Sequence, residues 1–125
     1  MSASAHTAEE AQTFAELSKT LRPLLEDVAQ RGETITYRDL AIKAKVASPH
    51  TIHKTTHALE ALIHADHAAG RPLLGAVAVS RNGRPQVGFF HLLHELGRYD
   101  GPERGPEAAA QHDRELAEVY AAYRG

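Results

Sequence analysis

Four histidines recur at helical spacing in the middle of the chain: His50, His53, His57 and His64. Lys54 stands among them and His67 follows. Imidazole and ammonium groups donate hydrogen bonds to phosphate oxygens, and imidazole rings stack on bases. At about 100° per residue from His50, His53, His57 and His64 fall at roughly 300°, 340° and 320°. Ile52, Leu59, Leu62 and Ile63 fall between roughly 120° and 220°, so the histidines line the face turned from the core. Three chemistries suit that stripe: a nucleic-acid surface, a solvated or partner-facing surface, and a metal site. His53-x-x-x-His57 sets two imidazoles one turn apart, and His64-x-x-His67 is compatible with a metal. A closed metal site needs further ligands from Glu60, Asp66, His91 or His94, so no metal or other cofactor is assigned.

A second candidate is Ser80-Arg81-Asn82-Gly83-Arg84, where Arg81 and Arg84 flank a tight-turn signal. Two arginines on an exposed tip suit phosphate oxygens, and Lys43 and Lys45 extend the same basic segment. Catalytic signatures are missing. The 125 residues hold no cysteine, which excludes disulfides, thiolate metal sites and thiol nucleophiles. There is no glycine-rich phosphate loop and no Gly-x-Ser-x-Gly elbow. His57, Glu60 and His64 do not have the spacing of a His-Glu-x-x-His helix. The chain reads as no enzyme.

Charge is segregated along the chain. Residues 1–33 carry −3, residues 34–92 carry +4 and residues 93–125 carry −3, within a total of −2. Six of the nine histidines fall in the basic centre. Such a centre suits a polyanionic partner. No apolar run approaches the roughly 20 residues that span a bilayer, and Met1 to His6 has no signal-peptide pattern. The expectation is a cytoplasmic protein with no membrane partner.

The elements that must position these residues follow from periodicity. Residues 1–6 read as a disordered tail and residues 7–125 as a single domain. A first helix starts near Thr7, whose spacing to Glu10 suits a capping box, and ends at Gly32. Phe14, Leu17, Leu21, Leu24, Leu25 and Val28 form its apolar stripe, and Pro23 should kink or split it. Thr34-Ile35-Thr36 is an extended lead-in to a short helix over 37–45. Ala47-Ser48-Pro49 is a turn, with Ser48 capping and Pro49 opening the next helix, which runs to Gly70-Arg71-Pro72. Residues 73–79 read as a strand, Asn82-Gly83 as a hairpin turn and Gln86-Val87 as a short returning edge strand. Phe89, Phe90, Leu92, Leu93 and Leu96 belong to a fourth helix, with the phenylalanines in the core. A last helix over 106–123 packs Leu116, Val119, Tyr120 and Tyr123 inward.

Helix, turn, longer helix and β-hairpin, in that order, make a winged helix-turn-helix plan. Its second helix enters the major groove and its hairpin touches the flanking backbone. The expected class is mostly α with a small β-hairpin, a winged-helix core flanked by N- and C-terminal helices. Ile35-Thr36-Tyr37-Arg38-Asp39-Leu40-Ala41 resembles the Thr/Ser-Tyr-x-x-Leu-Ala start of the C-terminal domain of alkylguanine-DNA alkyltransferases and alkyltransferase-like proteins. Arg71-Pro72-Leu73-Leu74, then Val79-Ser80-Arg81 and Asn82-Gly83, stand where that family has its strand and active-site segment. The similarity covers residues 33–87. It implies a winged-helix fold, DNA contact, and a phosphate-pressing role for Tyr37. The family's Pro-Cys-His-Arg centre is absent, so alkyl transfer is excluded. The tryptophan that replaces that cysteine in non-enzymatic members is absent too. Its base-replacing arginine has no counterpart beyond His53 or Lys54, which puts base flipping in doubt.

The resulting reading is a non-catalytic winged-helix protein that binds nucleic acid, with duplex DNA as the expected form and RNA left open. His50, His53, Lys54 and His57 meet the duplex, and Tyr37, Arg81 and Arg84 meet its backbone. The competing reading is a protein-interaction or homodimeric accessory module of a bacterial or phage system, without nucleic-acid contact.

Overall fold

Helix α1 (Ser2–Gln30) buries Leu17, Leu21, Leu25, Val28 and Ala29 along one stripe. The computed structural model describes the backbone of residues 2–124 and the side chains of residues 15–124. Helix α1 starts at Ser2, ahead of the expected Thr7, so its backbone includes residues 2–6 of the expected tail; the side chains of the Thr7–Glu10 capping box and of Phe14 lie outside the described residues. Pro23 lies inside α1, yet the helix continues through it as one element. The site is exposed, where water can satisfy the carbonyl that loses its partner.

Helix α1 closes at Gly32, which has a φ of 66°. Gly32 N–H donates to Ala29 at 3.0 Å and Glu33 N–H to Val28 at 3.1 Å, the paired bonds of a Schellman end. Strand β1 (Ile35–Thr36) leads into α2 (Tyr37–Lys43), shorter than the expected 37–45. Thr36 caps α2, its hydroxyl accepting from Asp39 N–H at 3.1 Å. Helix α2 ends with the same Schellman bonds, but Lys45 occupies the left-handed position, at a φ of 56°.

The connection over 44–50 is longer than the tight turn the sequence predicts. Ser48 is not the cap of α3 (Thr51–Ala68), and Pro49 is not its first residue. The Ser48–Pro49 peptide is cis, and His50, at a φ of 63°, takes the cap position without a side-chain bond. Helix α3 buries Ala58, Leu59, Leu62 and Ile63 and packs against both α1 and α2.

Residues 73–79 depart from the expected strand. Leu74–Val77 coil into a 3-10 turn, and only Ala78–Val79 extend, as β2. The cause is close packing on α3. A Cβ on Gly75 would stand 2.8 Å from Ile63 Cγ1, and the buried Asp66 carboxylate accepts Leu74 N–H at 3.2 Å. The segment is sealed among α1, α3 and α5.

The β-hairpin is also replaced. Strand β2 pairs in parallel with β1, with Ile35 opposite Ala78 and Thr36 opposite Val79. The turn at 80–84 forms, with Gly83 N–H donating to Ser80 at 2.9 Å and Ser80 N–H to Arg84 at 2.8 Å. No strand returns, because Gln86 N–H donates to the Tyr37 hydroxyl at 2.9 Å and the chain enters α4 (Val87–Glu95). Helix α4 buries Phe89, Phe90, Leu92 and Leu93, as its pattern predicts. Helix α5 (Pro106–Tyr123) has the expected bounds. The described chain is therefore mostly helical, with one two-stranded parallel sheet. Among the described residues, no helix is long and apolar enough to cross a membrane.

Candidate nucleic-acid interface

Because Leu59, Leu62 and Ile63 face the core, the opposite side of α3 faces solvent, and His50, His53, His57 and His64 are all exposed there. The His53 and His57 rings stand 5.0 Å apart between centroids, tilted by 51°. Lys54 is half-buried, and its ammonium donates to the Ala47 carbonyl at 3.1 Å, which fastens the connection to α3. The stripe thus assembles over His53, His57 and His64, whereas His50 sits at the cap ahead of α3 and Lys54 is half-buried and turned back to Ala47. His67 leaves it, half-buried with Nδ1 3.3 Å from the Arg98 guanidinium. Ile52, expected in the core, is 37% exposed at the first turn of α3.

The three residues expected on the nucleic-acid backbone separate. Arg81 is exposed on the 80–84 turn. Arg84 is held by α5 instead: Nη1 lies 2.7 Å from Asp113 Oδ1, 3.1 Å from the Ala109 carbonyl and 3.0 Å from His112 Nδ1. Arg84 keeps Asp113 below the usual carboxylate range. Tyr37 is buried, and its hydroxyl already accepts from Gln86. Burial pushes that phenol up from its ordinary pKa. Neither Tyr37 nor Arg84 therefore presents its polar end as a phosphate clamp.

Between α3 and α4 lies a cleft of about 40 Å³, bordered by Tyr37, Thr56, Glu60 and Gln86. That volume admits water and is far below the roughly 300 Å³ of a small-molecule pocket. Among the described residues, no three His, Asp or Glu side chains are placed to hold a metal.

The buried ionic groups are what sequence reading missed. Asp66 is fully buried on α3, with Oδ1 3.1 Å from Arg22 and 3.0 Å from Arg71. Glu115 is buried on α5, where Arg98 grips it at 2.7 and 3.2 Å and the Gln111 amide donates at 2.8 Å. That grip raises the Arg98 pKa. His112 is fully buried, with Nε2 2.9 Å from the Ala76 carbonyl. A signal existed for each: Asp66 falls at roughly 160° on the α3 wheel, amid the apolar positions. Glu115 and His112 precede Val119 by one and two helical turns. These groups join α1, α3, α5 and the segments that follow α3 and α4 around the core.

Searches for a matching family model, a matching curated protein and a matching solved structure each return none.

Proposed function

We propose that the chain binds nucleic acid without catalysis, with duplex DNA as its first ligand, through the outward face of α3. The observation that carries this reading is the shared exposure of His53 and His57 in the N-terminal half of α3, with exposed His50 at its cap and Lys54 beside them. That half of a second helix supplies the base contacts in helix-turn-helix proteins. Helix α2 packs against α3 as a supporting helix would.

In this reading the fold is a winged-helix variant whose wing is cut down to the 80–84 turn. Arg81 is the phosphate contact of that turn, while Arg84 fastens it to α5. Gln86 and Gly88 border the same cleft as Thr56 and Glu60, so the arm leaving the turn flanks the outward side of α3.

The test is fluorescence anisotropy of labelled duplex DNA, single-stranded DNA and RNA with the full chain. Micromolar or tighter duplex binding that weakens steeply between about 50 and 200 mM salt is expected, since each neutralised phosphate releases counterions. Absence of binding to all three at low salt overturns the reading.

A further inference from the structure

Among the described residues, the large hydrophobic side chains left exposed are Ile42, at 64%, and Ile52, at 37%. They are not scattered. Both border one groove of about 310 Å³ between α2 and the start of α3, floored by Ala41 and Val46. Arg38 and Lys45 stand at its rim, and neither is in an ion pair among the described residues. Single exposed apolar residues need no explanation, but these two share one groove.

The backbone adds a second reason. Helices α1, α3 and α4 close with a glycine in the left-handed position, at Gly32, Gly70 and Gly97. Helix α2 closes through the same pair of bonds with Lys45 there, a conformation a side chain adopts at a cost. The replacement sets a cation on the groove rim. Strain of this kind gathers at sites of contact.

We infer that this groove docks an acidic amphipathic helix of a partner protein. One large apolar side chain fills the floor between Ile42 and Ile52, and carboxylates flanking it pair with Arg38 and Lys45. This is the helix-in-groove mode of recognition. Charge complementarity selects an acidic partner, and the two isoleucines select a protein over a phosphate backbone, which has no large aliphatic group to seat there. The surface is separate from the histidine stripe, because Ile52 lies about 100° around α3 from His53. The inference therefore stands whether or not the stripe binds DNA.

The probe is a fluorescein-labelled 16-residue synthetic peptide with leucines on one helical face and glutamates beside them. A scrambled peptide of the same composition is the control. The full chain is expected to bind the amphipathic peptide at least tenfold tighter than the scrambled one. Ile42→Ser/Ile52→Ser and Arg38→Glu/Lys45→Glu should each weaken binding at least tenfold. All four side chains are at the surface, so each variant should keep its helices, which circular dichroism checks. His53→Glu/Arg81→Glu, which leaves the groove intact, should bind the peptide as the wild type does. Equal binding of the two peptides, or unchanged binding by both groove variants, overturns the inference. So does loss of duplex-DNA binding in Ile42→Ser/Ile52→Ser with the peptide ignored, which would make the groove part of a nucleic-acid surface.

Discussion

Arg84 Nη1 lies 2.7 Å from Asp113 Oδ1, so the second arginine of the 80–84 turn is a tie to α5 and Arg81 alone projects from that turn. The exposed ion pair adds little by itself. The bonds to the Ala109 carbonyl and to buried His112 add more, because their loss strands polar groups. Arg84→Ala should cost about 1–2 kcal/mol of stability, read by urea denaturation. Its DNA affinity should match wild type within twofold, whereas Arg81→Ala should weaken binding. A larger affinity loss in Arg84→Ala than in Arg81→Ala contradicts this assignment.

Asp66 joins three elements at one carboxylate: Arg22 of α1, Arg71 after α3 and the Leu74 amide at the 3-10 turn. Replacing it with alanine leaves that amide and two cations without their anion. Asp66→Ala should lose about 1–3 kcal/mol, because the buried Leu74 amide is stranded while Arg22 and Arg71 keep access to water. Chemical denaturation measures it. A loss below about 1 kcal/mol would mean that water replaces the carboxylate there.

Much of the fold was legible because apolar spacing reports burial. The α5 bounds, the α4 core and the outward turn of the α3 histidines all follow from helical periodicity. Residues 73–79 were not legible, because an apolar run does not distinguish a strand from a buried coil. Gly75 against Ile63 decides for the coil, and that contact is remote in sequence. The partners of Arg84 were hidden for the same reason: Asp113 and Ala109 lie on a different helix. Asp66 was legible in principle, since a lone carboxylate amid the apolar positions of a helix demands hydrogen-bonding or cationic partners.

His112 gives the protein a pH dependence of defined sign. The Ala76 carbonyl can only accept and the Arg84 guanidinium can only donate, so the neutral ring carries its proton on Nε2. Burial, with the Arg84 charge adding to it, holds the imidazole below its ordinary pKa. The unfolded chain therefore takes up this proton first as pH falls. The contribution of His112 is fully present above about pH 6.5 and is lost as pH drops through the lower folded value. Thermal melts of the wild type and His112→Gln from pH 7.5 to 5 should show the wild type losing more stability. An identical pH dependence in the two proteins contradicts a buried neutral imidazole.

The most direct test of the nucleic-acid reading is the anisotropy of a labelled duplex titrated with the wild type and with His53→Glu/Arg81→Glu. Both residues are exposed, so the variant should keep its fold. The account predicts at least tenfold weaker duplex binding near 50 mM salt, and a salt slope lower by about one for each lost phosphate contact. Equal affinity and equal slope in the two proteins would contradict it and move any binding off the outward face of α3.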